Sequence, residues 1–172
     1  NLKNVSAERI QAELVKLLVS PHPDYLRTAY ETGITKEFLP EFDLCMETEQ
    51  NTPYHCFTVG EHILHSLLYV EADKVLRLTM LLHDIAKPVM KTTDENGRDH
   101  FKRHAAVGEE MSKKILRRLK FDNDTIEKVS RLIRYHDDRP EGQMRAVRRA
   151  MNRIGEELFP LYLEVQKADM LA

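Results

Sequence analysis

The 172-residue chain is 42% hydrophobic, enough to bury one core within the usual single-domain size range. Its 26 basic and 28 acidic residues leave a formal net charge of −2, which excludes a global field directed at a polyanion and makes any nucleic-acid contact local. Cys45 and Cys56 form no C-x-x-C pair, which argues against a disulfide framework and predicts two buried, reduced thiols in a cytoplasmic protein.

No apolar run approaches a membrane span, so a soluble protein with no membrane contact is expected. The chain begins at Asn1 rather than at methionine, which suggests a fragment or a processed product with a further domain upstream.

Glycine is scarce and apolar residues recur at helical spacing almost throughout, so the fold is read as all-α with no β-sheet. Ser6 can cap a first helix whose Ile10, Leu14, Leu17 and Leu18 form one stripe before Pro21 and Pro23 interrupt it. A short helix runs from about Pro23 to Gly33, where glycine suits a left-handed cap. The next stretch, "EFLPEFDLCMETEQNTPYHC", reads as an irregular connection with short helical turns. A helix over about 58–71 presents Val59, Ile63 and Leu67, and another opens near Asp73 and runs to Leu82, with Pro88 as its stop. "TTDENGRD" is a polar turn. From about His104 to Lys120, Val107, Met111, Ile115 and Leu119 repeat every fourth residue. Asp122 or Asn123 then caps a helix carrying Ile126, Val129 and Ile133 that ends in "YHDDRP". Two more helices separated near Gly155 complete the chain, the last holding Leu158, Leu161, Val165 and Asp169.

Most of the eight histidines stand at helix ends or in loops beside acids. One histidine on an apolar face is more often a satisfied core residue than a ligand. The signal lies in the series His62, His83 with Asp84, His104, His136 and Asp169, each near a helix terminus that could open onto one cavity. Imidazoles and carboxylates without thiolate suit one or two divalent ions such as manganese, iron, cobalt, nickel or magnesium better than a cysteine-rich structural zinc site. Neighbouring side chains such as His83 and Asp84 diverge by about 100° on a helix, so both reach one ion only at a helix end.

In that order, "EHILHSL", "LLHDIAKP", "HFKRHAAVG", "RYHDD" and "QKADMLA" resemble the HD-domain superfamily of metal-dependent phosphohydrolases. "NVSAERIQAELVKLLVS" and "ETGITKEFLPEF" are similar to the neck and body of bacterial tRNA nucleotidyltransferases of the CCA-adding and poly(A) polymerase family, which carry such a domain as their C-terminal part. The resemblance implies an all-α HD-domain bundle over 51–172 after a helical neck or body segment over 1–50. It also implies one ion on His62, His83, Asp84 and Asp169, and a second on His104 and His136 with Asp84 as the bridge. Lys87 matches the lysine that lies close to bound phosphate, so Asp84 and Lys87 are the catalytic candidates. His100, four residues before His104 beside a polar loop, and Arg103 join Lys87 as the expected substrate contacts. Ala86 stands where the family more commonly has glycine. His55 and His65 fall outside the ligand set and are read as pocket or core histidines. Arg145, Arg148, Arg149 and Arg153 share one helix, which reads first as a solvated face and otherwise as a phosphate- or tRNA-steering surface. "DND" at 122–124 is a helix cap rather than a pair of nucleotidyl-transfer carboxylates.

The leading expectation is an enzyme that hydrolyses a phosphomonoester, a cyclic phosphodiester or a nucleotide with metal-activated water. The alternatives are a non-catalytic body of a tRNA nucleotidyltransferase, with tRNA reached through an upstream domain, and a regulatory domain that binds a nucleotide without cleaving it.

Overall fold

A computed structural model describes residues 4–140 and 142–172. The architecture is all-α: helices α1 (Ala7–Leu18), α2 (Leu26–Glu31), α3 (Thr35–Phe38), α4 (Pro40–Met46), α5 (Val59–Leu67), α6 (Lys74–Leu82) and α7 (Lys87–Met90) form the first half. A two-stranded hairpin, β1 (Thr92–Thr93) and β2 (Asp99–His100), precedes α8 (His104–Arg118), α9 (Asn123–Tyr135), α10 (Met144–Ile154) and α11 (Phe159–Leu171).

Polar caps start four of these helices. Ser6 accepts from the Arg9 amide, Thr58 from Glu61, Asp73 from Leu76 and Asp122 from Thr125, each satisfying an amide that the helix itself leaves unpaired. Asp122 thus has the capping role expected of "DND". Prolines act as starts rather than stops, because Pro40, Pro88 and Pro160 occupy the first turns of α4, α7 and α11, where a missing amide proton costs nothing. The expectation that Pro88 ends the preceding helix is corrected accordingly: α6 stops at Leu82 and Pro88 opens α7. Likewise α5 ends at Leu67, short of the expected boundary at 71.

The hairpin corrects the strand-free reading. It pairs Thr92 with His100 and Thr93 with Asp99, too short a ladder to leave an alternating pattern in the sequence. Asp94 organises its turn by accepting from the Asn96 and Arg98 amides, and Asp99 accepts from the Asn51 amide, pinning the hairpin to the 49–57 loop. Cys45 is buried as expected, whereas Cys56 is exposed because that loop runs over the surface.

One apolar core runs through both halves, joining Leu14, Leu18 and Phe42 to Ile63, Met80, Leu116, Val129 and Val165. A satellite of Leu132, Ala150, Ile154, Leu158 and Tyr162 seats α10 and α11. Gly60 lets α5 approach α4, since a Cβ there would collide with the sulfur and the Cα of Met46. Gly33, at φ +81, ends the α2 segment in the left-handed conformation expected of it. Polar ties cross between α1–α4 and the later helices: Arg118 forms a two-pronged pair with Glu41 (2.8 Å each), and Arg27 does the same with Glu61. Among the described residues no helix is long and apolar enough to cross a membrane.

Arg77 is the buried member of these ties. From α6 its guanidinium donates to the carbonyls of Leu18, Ser20, Val70 and Glu71, satisfying the end of α1 and the α5–α6 turn together. Arg77→Ala should strand those carbonyls and cost roughly 3 kcal/mol. In a chain of this size that corresponds to a fall in Tm of roughly 6–12 °C by calorimetry. Arg77→Lys should fall between the two, because one ammonium cannot reproduce the fork. An unchanged Tm for Arg77→Ala would refute the account.

Candidate metal centre

The cluster is built where helices end. His83 caps the C-terminus of α6, Asp84 follows in the turn, His104 is the first residue of α8 and His136 caps the C-terminus of α9. His62 projects from the first half of α5 and Asp169 from the last turn of α11. Because His104 opens α8 and His136 closes α9, their approach to 3.2 Å requires the two helices to run antiparallel.

A shared local device aims three of the imidazoles. His83 Nδ1 donates to the Met80 carbonyl (2.6 Å), His104 Nδ1 to Phe101 (2.9 Å) and His136 Nδ1 to Ile133 (2.6 Å), in each case the carbonyl three residues back. Near the ends of these helices carbonyl lone pairs are left available, so the Ile133 oxygen accepts from the His136 ring as well as from its amide. A carbonyl only accepts, so each Nδ1 carries the proton and each Nε2 faces the centre as a potential ligand. Arg103, held in the left-handed conformation at φ +64, turns the chain from the hairpin into α8 so that His104 heads the helix.

Asp84 lies at the middle and is 2% exposed. Its Oδ2 is 3.3 Å from His83 Nε2 and 3.5 Å from His62 Nε2, while Oδ1 is 3.3 Å from His104 Nε2 and 3.5 Å from His136 Nε2. Asp169 Oδ1 completes the first group at 2.7 Å from His62 Nε2 and 3.3 Å from His83 Nε2. The result is two donor sets, His62–His83–Asp84–Asp169 and Asp84–His104–His136, each able to hold an ion.

Three features test that fit. His104 and His136, both protonated on Nδ1, would oppose Nε2 lone pairs at 3.2 Å unless something positive lay between them. Asp84 Oδ2 is buried with no well-formed hydrogen bond, compensated only by the nearby Lys87 ammonium and imidazole nitrogens, which leaves it free to accept a cation. Donor separations of 3.2–3.5 Å in the second set also match the edge of about 3.3 Å that a tetrahedral shell with nitrogen and oxygen bonds of about 2.0–2.1 Å would have. The residues fit divalent ions.

Ionisation follows the same logic. Burial works against the Asp84 carboxylate, but His83, Lys87 and the hydrogen bonds from His104 and His136 outweigh it and hold Asp84 well below the usual range. Burial alone would push His83 down, yet the charge of Asp84 and the bonds to Asp169 and Asp84 raise it to about 10. Asp169 is lowered against its own burial by His62 and His83. The cluster therefore holds two carboxylates charged and draws positive charge between them, from protons or from metal.

An open cleft of about 360 Å³ gives access to the cluster; Tyr54, His55, Lys87, Asp137, Arg139 and Met170 line it with the ligand side chains. Lys87 is 6% exposed, with its Nζ 3.2 Å from Asp84 Oδ2, 2.8 Å from Gln50 Oε1 and 5.0 Å from the centre of the Phe101 ring. Ala86 is fully buried at φ −88, a conformation that needs no glycine, and its methyl faces Gly108 of α8. His55 reaches the cleft with its ring edge-on to His62; burial, then Lys87 and His62, push it down to about 4, so it is neutral near pH 7. His65 instead packs on Phe57. The structure does not bring His100 or Arg103 to the cleft wall: His100 bonds Asp94 at 2.8 Å within the hairpin, and Arg103 serves through its backbone turn. Gln50 and Tyr54 carry no mark in the sequence as contacts, because irregular chain delivers them and no spacing marks them. Asp137 and Arg139 are legible only as part of "YHDDRP".

An all-α fold with a His–Asp cluster at its helix ends defines a class. The HD domain family matches residues 52–171, and the chain belongs to it. Residues 1–46 match the family described as a probable RNA and SrmB-binding site of polymerase A. A CC-adding tRNA nucleotidyltransferase from Thermus thermophilus is 35% identical over 172 residues, covering 96% of this chain and 39% of that protein. An A-adding tRNA nucleotidyltransferase from Deinococcus radiodurans is 33% identical over 168 residues, covering 94% and 38%. A bifunctional uridylyltransferase/uridylyl-removing enzyme from Ruegeria pomeroyi is 30% identical over 153 residues, covering 76% and 15%. The chain thus spans 39% or less of these relatives.

Filling both donor sets takes two ions per chain. Elemental analysis after loading with manganese should find roughly two in the wild type, roughly one in His104→Ala or His136→Ala, and none retained in Asp84→Ala. Equal occupancy in the wild type and His104→Ala would eliminate the second site.

Proposed function

We propose that this chain is a metal-dependent phosphohydrolase acting on a phosphomonoester, a cyclic phosphodiester or a nucleotide. The observation that carries this reading is the single buried Asp84 carboxylate turned toward both donor sets at the floor of an open cleft. His62, His83, Asp84 and Asp169 would hold one ion and Asp84, His104 and His136 the other. Ions so held lower the pKa of water toward neutrality and polarise a phosphoryl oxygen.

The remaining chemistry belongs to the chain. Lys87, fixed by Gln50, presents its ammonium beside Asp84 where a phosphate oxygen would enter. Burial of both partners strengthens that contact, since little water competes for the ammonium. Arg139, whose guanidinium nitrogen lies 4.0 Å from Asp169 Oδ2, adds a second cation at the rim.

A scaffold reading explains this site poorly, because a buried charged carboxylate among inward-facing imidazoles destabilises a core unless it binds something. A second reading is compatible with the first. The match of residues 1–46 to an RNA-binding family and the nucleotidyltransferase relatives support a place for this stretch within a longer tRNA nucleotidyltransferase, with the transfer chemistry elsewhere in that protein. On that reading the isolated chain adds no labelled CTP or ATP to tRNA, and incorporation by it would place transfer chemistry here.

For hydrolysis, a small panel of one phosphomonoester, one cyclic phosphodiester and one nucleotide is assayed with manganese, cobalt, nickel, iron or magnesium. Turnover of at least one is expected, abolished by chelation and reduced about 10²-fold or more in Asp84→Asn. Lys87→Ala should lower kcat/KM by roughly 10–100-fold, the worth of one charge-assisted hydrogen bond to phosphate. No turnover of any of the three by metal-loaded wild type would overturn the hydrolase reading.

A further inference from the structure

The turn between α9 and α10 is a wall of two depressions. Its Asp137 and Arg139 line the metal cleft, while Pro140 lines a neighbouring groove of about 500 Å³ on α10, together with Ala146, Arg149, Asn152 and Arg153. The two are also joined through Asp138, whose carboxylate lies 3.5 Å from Arg153.

The charge of this region runs against that of the chain. Residues 137–153 contain five arginines and no lysine against three carboxylates, within a protein of net charge −2. That choice of cation favours phosphate over a merely solvated surface, because a guanidinium presents a planar fork that matches phosphate oxygens two at a time. Arg145, Arg149 and Arg153 recur every fourth residue, which stacks them along one face of α10 at about 6 Å per step. That is comparable to the separation of successive phosphates along a nucleotide chain. Ala150 and Ile154, about 100° further round the helix, are buried in the satellite core, and the three arginines are exposed.

The cleft is also lined by Tyr54, an aromatic ring that is 82% exposed. A large exposed aromatic beside a phosphate-directed site offers a face on which a nucleobase can stack. An apolar patch would explain Tyr54 alone, and a solvated helix would explain the arginines alone. A ring in the cleft and a fork-bearing track in the groove, joined through the 137–140 turn and the Asp138–Arg153 pair, together suit a ligand with both bases and phosphates.

We propose that the α10 groove and the metal cleft form one binding surface for a single nucleic-acid strand, with backbone phosphates on Arg149 and Arg153 and a base near the strand end stacked on Tyr54. This rests on the hydrolase reading only for what happens at the cleft. Binding along the groove is independent of metal.

The test uses the whole chain in EDTA with a fluorescently labelled 12-nucleotide single-stranded RNA, with affinity read by anisotropy over a range of salt. The Arg149→Ala/Arg153→Ala double variant should bind tenfold or more weakly, and its log–log salt slope should be shallower by about 1.4, the counterion release of two phosphates on a single strand. Tyr54→Ala should weaken binding about fivefold or more with the salt slope unchanged, since stacking releases no counterions. Arg117→Ala, an exposed arginine on α8, serves as the surface control and should leave both quantities unaltered. Circular dichroism melting checks that the double variant is folded; should it not be, Arg149→Lys/Arg153→Lys, which keeps the charge and loses the fork, should still bind several-fold more weakly than the wild type.

Equal affinity and slope in wild type and the folded arginine variants would overturn the proposal, as would polyphosphate of matched charge competing as well as RNA. If RNA binding depends on Arg149, Arg153 and Tyr54 but metal-loaded wild type hydrolyses nothing, the hydrolase reading fails and this inference stands. If hydrolysis is found and RNA binding ignores these residues, the inference fails alone.

Discussion

Asp84 is the constraint on which the rest of the structure depends. A charged carboxylate with almost no exposure is costly to bury, and removing its partners would leave that cost uncompensated. The fold answers with four imidazoles and one ammonium, brought from α5, α6, α7, α8 and α9. Each of those helices must therefore end or pass at one point, and the hydrophobic core beneath fixes where that point lies. The adjacent His83–Asp84 pair makes sense in this light. The end of α6 supplies a carbonyl that aims the imidazole, and leaving the helix frees the next side chain to turn into the same centre.

Much of this was legible in the residues. The four-residue apolar repeat of α8, the polar caps at Ser6, Thr58, Asp73 and Asp122, and the glycine at Gly33 each state a local preference that the fold obeys. The histidines stood out through their number and their places at helix ends. What spacing could not state is which nitrogen faces inward, because that depends on whether the ring reaches the carbonyl three residues back, which only the folded chain shows. Prolines misled for a related reason: the same missing amide proton that breaks a helix interior is harmless in a first turn, and sequence alone does not say which applies at Pro88. The hairpin was invisible because two residues per strand carry no periodicity, and with it went the true setting of His100, tied to Asp94 rather than to the cleft.

The segment before residue 50 is coupled to the centre more closely than a linked neck would be. Its Leu18 and Phe42 lie in the same core as Ile63 and Met80, its α1 terminus is held by Arg77 of α6, and Gln50 positions Lys87. A displacement of α1 or α4 would reach the helix that ends in His83 through Arg77, and the loop behind Lys87 through the chain itself. The segment that matches the RNA-binding family thus shares its core with the helices that carry the cluster.

Charge is arranged on the same local principle. With a net charge of −2 the molecule has no overall field to draw in a polyanion, so recognition must come from groups placed where they are used. The cleft floor is a carboxylate matched by imidazoles, which suits a cation first and a phosphate only through that cation or Lys87. Its rim carries Arg139, and the adjoining helix carries arginines on its outer face. An anionic ligand therefore meets guanidinium at the surface before it meets the acidic interior, and the repulsion that Asp84 and Asp169 would exert on a phosphate is offset on the way in. The full-time cations at the buried carboxylates are Lys87 beside Asp84 and Arg139 at the rim near Asp169, while the imidazoles offer lone pairs to a cation, so any phosphate that enters depends on those two side chains and on what the imidazoles hold.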